Sequence, residues 1–224
     1  MKTGVRAATA SVYGLAVLGL ILFLPAGTVK YWQGWAFAAT FVAVTMFPTV
    51  YLARKNPAAL ERRMHGGPLA EARTLEKVLI IGAFLALFAM VVLSAYDYRM
   101  GWSSVPAWVS VLGDVLVATG LGLAMVVVLQ NSYAAATITV ETGQTLASGG
   151  VYKLVRHPMY AGNLIMMIGI PLALGSYWGL LFVIPAQAVI TLRILDEEKL
   201  LTQQLAGYRE YTRRVRYRLV PYVW

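Results

Sequence analysis

Two short polar segments in the second half of the chain carry the residues best suited to chemistry. In the first, GGVYKLVRHPMYAG, Arg156 and His157 come directly before Pro158. Proline is favoured in the first turn of a helix, where its missing N–H is not needed. A guanidinium, an imidazole and free backbone N–H groups would then meet at a helix N-terminus, which suits an anion such as a carboxylate. The alternative is that Arg156 is a membrane-surface anchor and His157 a helix cap.

The second polar segment is the acidic cluster of Asp196, Glu197 and Glu198. A carboxylate on an apolar helix face needs a cationic partner, because burying it unpaired is costly. Arg156, Arg214 or a cationic ligand could supply that charge, whereas a solvated helix end would need no partner. Helical spacing does place Glu198 on an apolar stripe, formed by Ile194, Leu201, Leu205, Tyr208 and Val215.

The composition is that of a membrane protein. Hydrophobic residues make up 59% of the 224 residues and charged residues only 13%, and the mean hydropathy is +0.65. Soluble domains usually carry about 25% charged residues. The chain has no cysteine, which excludes disulfides, thiolate metal sites and cysteine nucleophiles. We expect no metal site.

The chain contains six apolar stretches. About thirty nearly uncharged residues separate the two polar segments, and a stretch of this length can cross a bilayer and return. The predicted fold is an all-α polytopic membrane bundle of five to six transmembrane helices that ends in a helical hairpin beside a cytosolic pocket. We expect transmembrane helices over 1–130 and the chemical site in 131–224. The stretches are roughly 9–25, 31–53, 76–96, 105–130, 159–175 and 177–194.

Basic residues indicate the orientation in the membrane. The net charge is +9, which in a soluble protein would suggest nucleic acid. Here 17 of the 19 Lys and Arg residues fall on one side of a six-span arrangement, and only Lys30 and Arg99 fall on the other. This asymmetry predicts that both termini and the pocket face the cytoplasm, with no nucleic-acid partner. We expect the first apolar stretch to be a retained span rather than a cleaved signal peptide.

The basic segment RRVRYRLVPYVW, residues 213–224, has two interpretations. It could lie as an amphipathic segment on anionic lipid. It could instead fold back over the region of Glu198 as a lid.

Several motifs follow one another in the second half of the chain: GGVYKLVRHPMYAG, a hairpin with Gly169, Pro171 and Ser176, then DEEKLL, GYREYTRRV and Pro221, with Asn131 ahead of them. With these motifs the chain resembles the superfamily of isoprenylcysteine carboxyl methyltransferases and phospholipid methyltransferases. The resemblance covers about residues 130–221 and implies an integral-membrane helical enzyme that uses S-adenosylmethionine without a Rossmann fold. A lipophilic substrate would enter sideways from the membrane.

The resemblance also implies roles for the matching residues. Arg156, Glu198 and Arg214 are expected in catalysis, the two arginines orienting an anionic substrate group. Glu197 and Glu198 would bind the amino-acid end of the cofactor or shape its site. The family often has an aromatic residue before the glycine near Tyr208, where this chain has Ala206. The expected cofactor-binding residues are Tyr152, His157, Tyr160, Gly162, Glu197 and Tyr208.

The expected reaction is therefore methylation of a lipophilic acceptor. A carboxylate acceptor needs no base, whereas a protonated amine must first lose a proton. This favours carboxyl methylation of an isoprenylcysteine-like substrate, with a phospholipid amine or a small thiol as the alternatives. A membrane reductase that uses NADPH is an alternative from another enzyme class. A transporter or scaffold is the weakest interpretation, since paired halves are not evident.

Overall fold

A computed structural model describes the backbone of residues 2–64, 73–134, 140 and 143–224, and the side chains of these residues except 2–12 and 62–64. The regular elements in the described part are all helical. Two short 3₁₀ helices, Gly150–Lys153 and Trp178–Phe182, precede α6 and α7. The α-helices are α1 Lys2–Ala26, α2 Trp32–Lys55, α3 Pro57–Met64, α4 Thr74–Met100, α5 Ala107–Gln130, α6 Pro158–Ala173, α7 Val183–Gln204 and α8 Tyr208–Arg214.

The helices confirm the predicted polytopic membrane bundle. Within the described residues, four helical segments are long and apolar enough to span a bilayer: Trp32–Lys55, Thr74–Met100, Ala107–Gln130 and Trp178–Gln204. Two shorter apolar helical segments accompany them, Tyr13–Ala26 and Pro158–Ala173. Helix α6 has 16 residues, which corresponds to about 24 Å. It is therefore shorter than the roughly 30 Å hydrocarbon core, and its ends lie close to the buried polar groups described below.

Hydrogen bonds bring the turns after α1, α4 and α6 together at one end of the bundle. The Tyr31 hydroxyl donates to the carbonyl oxygen of Leu174 at 2.5 Å. The buried carboxylate of Asp97 accepts hydrogen bonds from the hydroxyls of Ser103 at 2.6 Å and Ser176 at 2.5 Å. These contacts satisfy the carboxylate without exposing it to solvent, and they fix the ends of α4 and α6 to each other.

The opposite end of the bundle holds the start of α4, the end of α5 and the last turns of α7. Arg73, before α4, forms an ion pair with Asp196 on α7 at 2.6 Å. The side-chain oxygen of Gln130, at the end of α5, accepts a hydrogen bond from the backbone N–H of Val151 at 3.0 Å. The helices thus alternate in direction, as six antiparallel segments must.

We predict that this second end faces the cytoplasm, because it holds most of the basic residues. The absence of cysteine allows single-cysteine labelling. Lys30→Cys and Arg209→Cys change exposed residues at the two ends. A membrane-impermeant maleimide should label Lys30→Cys in intact spheroplasts and Arg209→Cys only after permeabilisation. The reverse pattern would show that the orientation is wrong.

Helix α7 is longer than the apolar stretch 177–194 that predicts it. The charged residues after Ile194 continue the helix to Gln204, so Glu197 and Glu198 lie within it. The chain then breaks at Gly207, whose φ of +79° is in the left-handed region, and restarts as α8. The predicted apolar stripe therefore extends over two helices, and Ile194, Glu198, Leu205 and Tyr208 on it are buried.

Helices α5 and α6 approach closely because glycines face each other across the contact. A Cβ on Gly120 would lie 2.4 Å from the carbonyl oxygen of Gly162, and a Cβ on Gly162 would lie 2.6 Å from the carbonyl oxygen of Gly120. Nearer the other end, a Cβ on Gly113 would lie 2.1 Å from the backbone nitrogen of Ala173. Backbone thus contacts backbone along α6, which positions the polar residues at its N-terminus.

Candidate active site

A cavity opens where the N-terminus of α6 meets the last turns of α7, helix α8 and the segment that follows α5. Together with the open solvent space at its mouth, it encloses about 850 Å³. Its polar walls include Asn131, Tyr152, Arg156, His157, Tyr160, Glu197 and Tyr208, and its apolar walls include Val127, Met159, Leu201 and Leu205.

Glu198 lies behind this wall and contacts three side chains. Its Oε1 is 3.0 Å from Arg156 Nη1 and 3.2 Å from His157 Nε2, and its Oε2 is 2.9 Å from Arg218 Nε. The side chains of Arg156 and His157 are only 9% and 3% exposed. Among the alternatives left open for Glu198, Arg156 is therefore one partner that the structure shows. His157 occupies the N-cap position of α6, but its side chain makes no cap hydrogen bond there.

Arg218, and not Arg214, is the second arginine beside Glu198. Arg214 ends α8 and is exposed. Beyond it the chain folds back along the residues before α6, with the backbone N–H of Arg156 donating to Tyr217 and that of His157 to Arg218, both at 2.9 Å. This supports the fold-back interpretation of the basic segment. Helical spacing cannot predict a contact for Arg218, because this residue lies beyond the last helix. In the sequence, only the run of arginines after residue 212 indicates that one of them could reach the site.

Glu197 has different surroundings from Glu198. Its Oε2 accepts a hydrogen bond from the Tyr160 hydroxyl at 2.9 Å. That hydroxyl in turn accepts a hydrogen bond from Arg193 Nε at 3.1 Å. The neighbouring carboxylates therefore differ in chemistry, since three basic side chains contact Glu198 whereas a neutral phenol holds Glu197 at the cavity wall. The sequence spacing suggests an exposed pair of Arg193 with Glu197, but Arg193 is buried and reaches Glu197 through Tyr160.

Three tyrosines close the side of the cavity next to α8. The Tyr211 hydroxyl donates to the carbonyl oxygen of Tyr152 at 2.7 Å, and Asn131 Nδ2 donates to the Tyr152 hydroxyl at 3.1 Å. Burial is the main cause that raises the pKa of Tyr152, Tyr208 and Tyr211 above the usual tyrosine value. All three phenols are therefore neutral at physiological pH and serve as hydrogen-bonding groups rather than as bases.

Two buried polar atoms of lining residues have no hydrogen-bond partner within the described part of the chain. They are the hydroxyl oxygen of Tyr208 and Nε of Arg156. An unsatisfied buried donor costs about 1–3 kcal/mol. A ligand with polar groups would remove that penalty, so these atoms mark the polar end of a binding site.

The structure brings most of the predicted site residues together. Two of them lie elsewhere: Arg214 is exposed, and Gly162 packs against Gly120 on α5 and is absent from the cavity lining. Sequence reasoning also misses Tyr211 and Arg218, which reach the site only through the fold of α8 and the segment after it. The predicted residues that line the cavity are Tyr152, Arg156, His157, Tyr160, Glu197 and Tyr208, with Glu198 directly behind them.

Comparison with known proteins finds matches over the part of the chain that holds most of the cavity lining. Residues 108–208 match the family model described as phospholipid methyltransferase. Over 155 residues the chain is 30% identical to the cobalt-zinc-cadmium resistance protein CzcN of Cupriavidus metallidurans, an alignment that covers 66% of this chain and 68% of that protein. The chain belongs to the phospholipid methyltransferase family. The resemblance seen in the sequence is thereby confirmed.

This phospholipid methyltransferase family member is also similar to a reductase. It is 35% identical over 91 residues to the Delta(14)-sterol reductase TM7SF2 of Mus musculus, covering 39% of this chain and 22% of the reductase. The family match begins in α5 and ends at the first residue of α8. It therefore includes Arg156, Glu197 and Glu198, whereas Arg218 lies outside it. The fold and family together make the chain an integral-membrane, methyltransferase-like protein related to sterol reductases.

Proposed function

We propose that the chain is an S-adenosylmethionine-dependent methyltransferase that acts on a lipophilic acceptor at the cytoplasmic face of the membrane. The observation that carries the proposal is the cavity wall, which presents a guanidinium, a carboxylate and an unpartnered phenol beside apolar helices. The helices over 1–130 are proposed to form the acceptor side and residues 131–224 the cofactor side.

The residues present fit this cofactor. Its amino-acid end is zwitterionic, so it needs a cation and an anion in the same pocket. Arg156, with its unpartnered Nε, and His157 suit the carboxylate, and Glu197 suits the amino group. Tyr208 offers a buried hydroxyl to either polar group. When bound, S-adenosylmethionine supplies an electrophilic methyl group on a cationic sulfonium.

The charge of the cavity favours this cofactor over NADPH. NADPH carries several phosphate charges, and phosphate sites in proteins rely on Arg, Lys or helix N-termini. The sequence has no Lys or Arg between Arg99 and Lys153, so the wall that follows α5 contributes none. Among the described lining residues, Arg156 is the one that supplies a guanidinium, a single charge for several phosphates. A reductase is nevertheless the second candidate, because the mouse sterol reductase matches this region.

The surroundings of the site favour a carboxylate as the methyl acceptor. His157 Nε2 faces the Glu198 carboxylate, and Glu197 accepts from Tyr160, so these atoms already have hydrogen-bond partners. The neutral phenols supply no base. A carboxylate acceptor requires no deprotonation, and positioning against the methyl group is then the main catalytic contribution. An isoprenylcysteine-like carboxylate is the first proposed acceptor; a phospholipid amine or small thiol comes next.

Binding of the cofactor is tested by titrating S-adenosylmethionine and NADPH against the protein in detergent. We expect saturable binding of S-adenosylmethionine and about 10- to 100-fold weaker binding by Glu197→Gln, since hydrogen bonds to charged groups contribute about 1.5–3 kcal/mol. Glu210→Gln is the matched control, because Glu210 is an exposed carboxylate on α8. Saturable NADPH binding without S-adenosylmethionine binding would assign the chain to the reductases instead.

The acceptor class is tested by supplying cofactor with a radioactive methyl group to the protein in native membranes. A methyl ester releases volatile methanol in alkali, whereas methylated amines and thioethers retain the label. We expect base-labile label in the lipid extract. Base-stable label in the extract would show that the acceptor is an amine or a thiol and not a carboxylate. The methyltransferase proposal itself would stand.

A further inference from the structure

A chain of charged contacts connects the cavity to the start of α4, far from it in sequence. Glu76, in the first turn of α4, is fully buried. Its Oε2 lies 3.1 Å from Arg193 Nη1, and Arg193 is itself only 6% exposed. Arg73 lies 3.6 Å from the other oxygen of Glu76 and also pairs with Asp196 on α7. Glu76 and Arg73 both precede the segment that matches the family.

Arg193 uses two different nitrogens for its contacts. Nη1 faces Glu76, while Nε donates to the Tyr160 hydroxyl at 3.1 Å. A guanidinium is planar, with its donors in a fixed fork. The ion pair with Glu76 therefore restricts the directions in which Nε can point. Since the Tyr160 oxygen accepts from Arg193, its own hydrogen is directed to Glu197, as the 2.9 Å contact shows.

Glu76 also matters for the charge of the cavity. Arg193 and Glu197 are four residues apart on α7, a spacing that permits a direct ion pair. Such a pair would neutralise the carboxylate at the cavity wall. Glu76 supplies a carboxylate for Arg193, so that Arg193 reaches Glu197 through a neutral hydroxyl.

We propose that Glu76 and Arg193 are positioning residues for the cavity: they hold Tyr160 so that it orients Glu197 towards a cationic ligand group. The inference rests on the proposed function, in which Glu197 binds the amino group of S-adenosylmethionine. It makes the first turn of α4, in the N-terminal half, a determinant of cofactor affinity.

The main test is a double-mutant cycle on the dissociation constant of S-adenosylmethionine. Glu76→Gln and Tyr160→Phe should each weaken binding at least fivefold, and the double variant should be no weaker than Tyr160→Phe, because both changes break one chain of contacts. Lys199→Gln, which changes an exposed residue on α7, should bind like the wild type. Wild-type affinity in Glu76→Gln together with weak binding in Tyr160→Phe would overturn the inference.

A second readout needs no cofactor. With ¹³Cζ-labelled tyrosine, the Tyr160 resonance, assigned by its loss in Tyr160→Phe, reports the hydrogen bonds of its hydroxyl. Glu76→Gln should shift this resonance, and an unchanged resonance would overturn the inference. If the wild type binds no S-adenosylmethionine, the proposed function fails and this resonance alone decides on the positioning role.

If Glu76→Gln does not fold, Arg193→Lys is the variant that tests the inference. Lysine keeps the positive charge beside Glu76 but lacks the second, rigidly placed donor of the guanidinium. The variant should therefore shift the Tyr160 resonance and weaken cofactor binding. Wild-type values in both measurements would show that the Arg193 contact is structural only.

Discussion

Replacing Glu198 by alanine is expected to abolish cofactor binding and to lower the thermal stability of the protein. The Glu198 carboxylate is the common partner of Arg156, His157 and Arg218. Removing it leaves the nearly buried guanidinium of Arg156 without its counter-charge and His157 without its hydrogen-bond partner. Breaking a buried ion pair from one side costs about 3–5 kcal/mol, because the remaining charge has no compensation. This is a large fraction of the stability of an ordinary domain.

The two effects are measured separately, as thermal unfolding in detergent and as cofactor titration. Glu198→Gln keeps the shape and part of the hydrogen bonding, so it should lie between the wild type and Glu198→Ala in stability. Glu197→Gln should weaken binding with little change in stability, because Glu197 accepts its hydrogen bond from a neutral tyrosine. A Glu198→Ala protein that unfolds and binds like the wild type would contradict the assigned role of Glu198.

Arg218→Ala provides a graded comparison. Its side chain is 30% exposed, so solvent can compensate for part of what is lost. Arg218 also lies against the ring of Trp224, with 5.3 Å from its guanidinium carbon to the ring centre. We therefore expect Arg218→Ala to lower the free energy of unfolding less than Glu198→Ala does. We also attribute to Arg218 a role in holding the folded-back segment in place.

The central pair of the site can be predicted from the sequence because its causes are local. Pro158 indicates where α6 begins, which places Arg156 and His157 at its N-terminus. Helical periodicity places Glu198 on the buried face of α7. A buried carboxylate requires a cation, and this requirement makes Arg156 one of the candidate partners that the sequence offers.

The remaining site residues depend on contacts that are distant in sequence. Arg218 reaches Glu198 only because α8 ends at Arg214 and the following segment pairs with the residues before α6. Glu76 contributes through the packing of α4 against α7, and no local pattern marks it out from an exposed glutamate in a polar loop. Of the two arginines offered as partners of Glu198, Arg156 is found beside it and Arg214 is not. No periodicity distinguishes Arg214 from the nearby arginines, so the sequence could not choose among them.

Gly162 illustrates a different limit of prediction from the sequence. Its place in the motif after His157 makes it an expected cofactor contact, yet its lack of a side chain is needed where α6 crosses α5. The sequence does not reveal which helix a glycine faces. Its role in the site is indirect, because the close crossing fixes the position of the first turn of α6, where His157 and Tyr160 lie.

Adding one methyl group at this crossing should therefore have a large effect. In Gly120→Ala the new Cβ would lie 2.4 Å from the carbonyl oxygen of Gly162 and 2.8 Å from the backbone nitrogen of Met166. Backbone atoms cannot rotate away as a side chain can, so α5 and α6 must separate. Overpacking typically costs about 1–3 kcal/mol. We expect a lower midpoint of thermal unfolding and weaker cofactor binding, since the first turn of α6 moves with the helix.

Gly122→Ala is the matched control on the same helix, because a Cβ on Gly122 would meet nothing within 4 Å. Alanine is more favourable than glycine in a helix interior by about 1 kcal/mol. The control should therefore unfold at the wild-type temperature or above and bind the cofactor normally. Equal effects of the two substitutions would show that helix propensity, and not the crossing of α5 with α6, determines the outcome. A loss confined to Gly120→Ala would establish that this backbone contact positions the site.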